Sequence, residues 1–84
     1  MKDFVSYLLK PFIQDTDKVI INVEDLEDGQ TEVVVQVPVE DMGRIIGKKG
    51  KTVASLRQIM RLYGHIHSQQ VLFKVEEREN ESVD

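Results

Sequence analysis

The chain has 84 residues, no cysteine and a formal net charge of −4. That length makes one small domain whose core has to offset chain entropy alone, because a disulfide framework, a thiolate metal site and a thiol nucleophile are all excluded. Nowhere do about eighteen apolar residues run together, and Lys2 and Asp3 precede no long apolar run, so neither a membrane span nor a signal peptide is expected and the cytoplasm is the default location.

Met1, Phe4, Val5, Leu8, Leu9 and Phe12 recur at the spacing of an amphipathic helix. Pro11 lacks a backbone donor and clashes with the preceding turn, so this helix is expected to stop or kink near Lys10, followed by a loop over 14–17. Val19, Ile21 and Val23 alternate with Ile20, Asn22 and Glu24, and Val33, Val35 and Val37 alternate with Val34 and Gln36; both runs are β-branched and read as strands. The Asp28-Gly29 pair between them signals a hairpin turn. Pro38 closes the second strand, and a short helix is predicted over 39–46, with Glu40 and Asp41 favourably placed in its first turn and Val39, Met42, Ile45 and Ile46 on one face. After the Gly47-Lys48-Lys49-Gly50 break, Val53, Leu56, Met60 and Tyr63, joined by Ile59 and Leu62, mark a longer helix that Gly64 is expected to cap. Val71, Phe73 and Val75 alternate as a last strand.

The order α-β-β-α-α-β predicts an α+β domain. Two helices between the second and third strands make a crossover long enough for a parallel pairing, giving a three-stranded mixed sheet with three helices on one face. A single domain is expected over 1–76, and the acidic segment 77–84 reads as a disordered tail.

The charge is unevenly distributed. Between Met42 and Val75 stand Arg44, Lys48, Lys49, Lys51, Arg57, Arg61 and Lys74 with no acid among them, while the remaining sequence holds all fifteen Asp and Glu residues. Such a bipolar chain can attract polyanions despite its acidic sum.

The glycines beside these bases fit neither common phosphate fingerprint. A P-loop ending in Gly50-Lys51-Thr52 would need glycine where Ile45 stands, and Gly43, Gly47 and Gly50 are spaced four and three apart, unlike the dinucleotide motif. Two helices joined by G-x-x-G are a better description. Gly47 ends the first helix, Gly50 opens the second, and Lys48 and Lys49 sit at the tip, where unpaired amides of Gly50, Lys51 and Thr52 and a clear approach suit a sugar-phosphate backbone. An ordinary helix connection with solvated lysines is the plainer alternative.

Ile45-Ile46-Gly47-Lys48-Lys49-Gly50-Lys51-Thr52-Val53, followed by Leu56 and Ile59 and set between two strands, resembles the core motif of the KH domain. In that family the GxxG loop clamps about four nucleotides of a single strand. The additional helix and strand precede the core, which resembles the bacterial type II arrangement, and a single unit filling the chain is similar to small bacterial single-KH proteins. The resemblance implies non-enzymatic binding of single-stranded RNA without metal or cofactor, RNA-chaperone activity, dimerisation, a larger KH-containing partner, and a link to cell-wall synthesis and cell shape. It assigns clearance to Gly47 and Gly50, charge and amides to Lys48 and Lys49, phosphate contacts to Arg44, Lys51 and Thr52, and a base-facing apolar floor to Ile46 and Val53. Leu72 in the third strand is expected to offer backbone groups to base edges. Arg57 and Arg61 read equally well as contacts or as solvated helix charge, and His65 and His67 have no third ligand in view for zinc. The competing reading from another class is a degenerate KH fold that serves only to dimerise or dock a protein.

Overall fold

The computed structural model describes residues 1–78. The elements are α1 (Lys2–Leu9), β1 (Ile20–Asp25), β2 (Gln30–Val37), α2 (Val39–Ile46), α3 (Lys51–Ile66) and β3 (Gln70–Glu77). The sheet order is β1-β2-β3, with β1 antiparallel and β3 parallel to the central β2. This is the expected α+β architecture.

Alternation in β2 decides which face is covered. Thr31, Val33, Val35 and Val37 are buried while their neighbours are half-exposed. Opposite them Val71 and Phe73 of β3, Val5 and Leu9 of α1, Ile45 of α2, and Leu56 and Met60 of α3 complete one core. Each such apolar side chain contributes about 1.5–3 kcal/mol relative to exposure, and every element but β1 lends at least one, β1 adding only the half-buried Ile21.

The local signals behave as their chemistry requires. α1 stops at Leu9 and passes into a single 3-10 turn, Lys10–Phe12, around Pro11. Residues 14–17 are not all loop, because a second 3-10 turn, Thr16–Lys18, is nucleated by the Asp15 side chain accepting from the Asp17 amide. The hairpin turns on Asp28 and Gly29, both with positive φ (64° and 74°), the left-handed conformation this residue pair tolerates best.

Three further expectations are corrected. Gly64 does not cap α3, which continues to Ile66; it is buried because Val71 and the Gln69 carbonyl approach too closely for a side chain. Val39, Ile59 and Leu62 lie outside the core, being 61%, 40% and 60% exposed, because α2 and α3 turn only a narrow stripe inward. Asp41 stands in the first turn of α2 as expected, and its side chain is buried there, 2% exposed. Finally, β3 runs past Val75 through Glu77, since Glu76 and Glu77 pair with Gln36 and Val37, and the Arg78 amide and guanidinium donate to the carbonyls of Val37 (2.6 Å) and Lys18 (2.8 Å). The remainder of the expected tail lies outside the described residues.

Candidate nucleic-acid interface

α2 and α3 meet at the GxxG turn. Gly47 ends α2 with φ 75° and ψ 179°, a region essentially reserved for glycine, and its amide donates to the Gly43 carbonyl (2.9 Å). Lys49 and Gly50 follow in left-handed conformation with φ 56° and 75°. The turn is closed by its own backbone: the amide of Gly50 donates to the Gly47 carbonyl (3.2 Å) and that of Lys51 to the Lys48 carbonyl. These two amides, expected to be unpaired, are therefore already engaged. Positive potential at the tip comes instead from the exposed Lys48 and Lys49 side chains and from the start of α3, which no side chain caps.

The two loop glycines differ. A Cβ at Gly47 would run into Thr52, whereas one at Gly50 would meet no atom within 4 Å. Gly50 thus leaves an open approach, and Thr52 is half-buried with its hydroxyl turned toward Gly47. Arg44 and Lys51 are exposed on either side of the loop, Ile46 is 38% exposed and Val53 is half-buried, so all nine residues singled out in the sequence gather around the helix junction.

Two features were not legible in the sequence. Arg44 Nη1 lies 3.9 Å from Asp41 Oδ1, the buried oxygen that has no hydrogen-bond partner among the described residues. Arg44 therefore faces a carboxylate as well as solvent. Arg57, one turn beyond Val53 on α3, donates from Nε to the Phe73 carbonyl (3.4 Å). β3 is the edge strand on that side, and its backbone groups alternate in direction. Gln70 and Arg78 donate toward β2, to Gly29 and Val37, so even-numbered residues face β2 and the groups of Val71, Phe73 and Val75 face outward. Leu72, expected to present its backbone outward, is on the other parity and pairs toward β2; the outward groups beside it are those of Val71 and Phe73, and the Phe73 carbonyl accepts from Arg57.

The surface that starts at the GxxG turn with Ile46 and Val53 and continues along α3 is consequently bordered by the β3 edge, which Arg57 reaches at Phe73. A cleft of about 430 Å³ lies elsewhere, between α1 and β1, and is lined by Ser6, Leu9, Val19 and Ile21 among others but by no residue of the turn. The stacked aromatics, Phe4 on Tyr63 (ring centroids 4.3 Å apart) and Tyr63 beside His67 (4.5 Å), occupy the opposite end of α3.

A family model described as "KhpA/KhpB, KH domain" matches residues 2–76. The chain belongs to this family of KH domains. Its curated relatives include an "RNA-binding protein KhpA" of Listeria monocytogenes, 26% identical over 75 residues that cover 89% of this chain and 97% of the relative. The KhpA of Aquifex aeolicus is 30% identical over 77 residues, covering 89% and 94%. That of Chlamydia caviae is 32% identical over 63 residues, covering 71% and 76%. The KH assignment fits the helix-GxxG-helix junction followed by a strand parallel to the one before it. Among the described residues no helix is long and apolar enough to cross a membrane.

Proposed function

We propose that the chain binds single-stranded RNA, without catalysis, in the groove between the GxxG turn and the β3 edge. The observation that carries this reading is the open space at Gly50 beside two exposed lysines, where a sugar-phosphate backbone can approach without displacing protein atoms. Lys48 and Lys49 supply charge, Arg44, Lys51 and the Thr52 backbone hold phosphates, Gly47 and Gly50 give clearance, and Ile46 and Val53 form the surface on which bases lie. The clamp needs neither metal nor cofactor. Relatives called RNA-binding protein KhpA support the same assignment.

One unit over 1–76 grips about four nucleotides, so useful affinity follows from doubling, either as a dimer or with a larger KhpB-like partner. Ile59, Leu62 and Ile66 (40%, 60% and 68% exposed) form an apolar stripe along α3 suited to such an association. In this reading the protein is a cytoplasmic RNA chaperone or post-transcriptional regulator, and the family resemblance extends its role to cell-wall synthesis and cell shape. The same stripe favours the second reading, a KH fold kept only to dock proteins; the lysines of the turn favour RNA.

Fluorescence anisotropy of a labelled single-stranded RNA at several salt concentrations separates the two. With three to five phosphates held, the log-log slope is expected at about −2 to −3.5, and Lys48→Asp/Lys49→Asp is expected to abolish binding while circular dichroism stays native. Equal binding by both proteins, or by neither, would transfer the function to the docking reading.

A further inference from the structure

We propose that the outer edge of β1 accepts a strand from a protein partner, one whose side chains alternate between apolar and basic. Among the described residues β1 has β2 on one side and no strand on the other. Leu26, just past its end, donates its amide to the Gln30 carbonyl (2.7 Å), so even-numbered residues face β2 and the amides and carbonyls of Ile21, Val23 and Asp25 face outward. The helix layer also stops short of this edge. Val23 is 38% exposed although its partner across the ladder, Val33, is fully buried, and no side chain of β1 is fully buried. Between α1 and β1 lies the cleft of about 430 Å³, lined on its apolar side by Leu9, Ile13, Val19 and Ile21. A fourth strand would pair with the outward groups of β1, and its inward side chains would cover Val23 and enter this cleft.

Charge and pattern define the occupant. On the uncovered face of the sheet β1 presents Ile20, Asn22 and Glu24, so the other side chains of an added strand would lie against Glu24. Asp3, Asp15, Asp17, Glu24 and Asp25 stand on β1 or in the segments beside it, against Lys2 and Lys18. Among the described residues none of these acids is in a salt bridge, the ion pairs being Arg44 with Asp41 and Lys74 with Glu32. The edge therefore repels a nucleic acid, and it repels a second copy of itself, because β1 against β1 would bring like charges together. Lysine or arginine alternating with valine or isoleucine meets both the acids and the apolar cleft. β1 and β3 are opposite edges of the sheet, so such a strand leaves the GxxG turn and the β3 edge free.

The test titrates the isotope-labelled full chain with a terminally blocked octapeptide of alternating valine and lysine, and with its counterpart carrying glutamate for lysine, reading amide chemical shifts and hydrogen exchange. The lysine peptide is expected to saturate below about 1 mM, to shift resonances of β1 and the cleft, and to slow exchange at Ile21, Val23 and Asp25 by about threefold or more. The glutamate peptide is expected to bind at least about tenfold more weakly. Val23→Pro removes one outward donor without touching the ladder to β2, and is expected to lose peptide binding while circular dichroism stays native. Should that variant not fold, Glu24→Lys decides: it is expected to weaken the lysine peptide by about three- to tenfold and to strengthen the glutamate one. Equal binding of both peptides, protection confined to the β3 edge, or unchanged binding in either folded variant would overturn the proposal. So would the absence of binding at about 1 mM, or a β1 edge already protected in the free protein by self-association.

Discussion

Thr52 occupies the space that any side chain at Gly47 would have to enter, with its Cβ 2.6 Å from where a Cβ at position 47 would stand. Helix α3 thus packs back onto the first residue of the junction that precedes it, and the sharp angle of the GxxG turn is held by contact as well as by backbone conformation.

Two substitutions separate those causes. Gly47→Ala meets both the glycine-only dihedrals and Thr52, and is expected to cost about 2–4 kcal/mol in urea denaturation. Gly50→Ala meets only the left-handed conformation and is expected to cost about 1–2 kcal/mol. Equal losses would show that Thr52 yields without resistance.

Glycines inside helices offer a test of sign. Gly43 in α2 has no neighbour within 4 Å of a prospective Cβ, so Gly43→Ala is expected to stabilise by about 0.5–1 kcal/mol. At Gly64 the same change would place a methyl 2.5 Å from Val71 Cγ2 and 2.6 Å from the Gln69 carbonyl oxygen. Overpacking of about 1–3 kcal/mol exceeds the helix-propensity gain, and a lower thermal midpoint is expected. A raised midpoint for Gly64→Ala would mean that β3 moves away at little cost.

Asp41 and Arg44 are coupled by burial. Arg44 is the cation nearest a carboxylate oxygen that lacks any hydrogen bond among the described residues, at a distance that solvent partly screens. Arg44→Ala is expected to lose about 1 kcal/mol in the native background and close to nothing when Asp41→Asn is already present. Additive losses in this cycle would leave Arg44 to its nucleic-acid role alone.

The exposed stripe of α3 predicts an assembly. Leu62→Asp is expected to convert a self-associating protein to a monomer in sedimentation velocity while keeping its circular dichroism, because the residue is already 60% exposed in the single chain. Identical sedimentation of native and variant protein would remove α3 as the self-association surface.

The order of elements and the junction were legible because each rests on local chemistry: alternation in β2, Pro11 and Pro38 as stops, and glycines where φ turns positive. What was not legible depends on distant partners. Helical spacing identifies Ile59 and Leu62 as apolar but cannot say which way α3 faces, and both lie outside the core. Gly64 carries the sequence signal of a cap, yet its reason is Val71, which arrives from another element. Likewise Arg57 looks like any surface charge until the outward parity of Phe73 places an acceptor beside it. The burial of Asp41 is hidden in the same way, by a core that only the assembled helices define.

The parallel pairing of β2 with β3 matches each residue with one forty positions later, from Gln30 with Gln70 to Val37 with Glu77. Local contacts can organise the GxxG helices early, but closing so long a loop is entropically slow, and the far wall of the groove exists only after that closure. Completing the groove is therefore a late event in folding. A ligand held between α3 and β3 acts as a clasp on the last contacts to form, and would slow hydrogen exchange first at the outward amides of Val71, Phe73 and Val75, which no strand covers among the described residues.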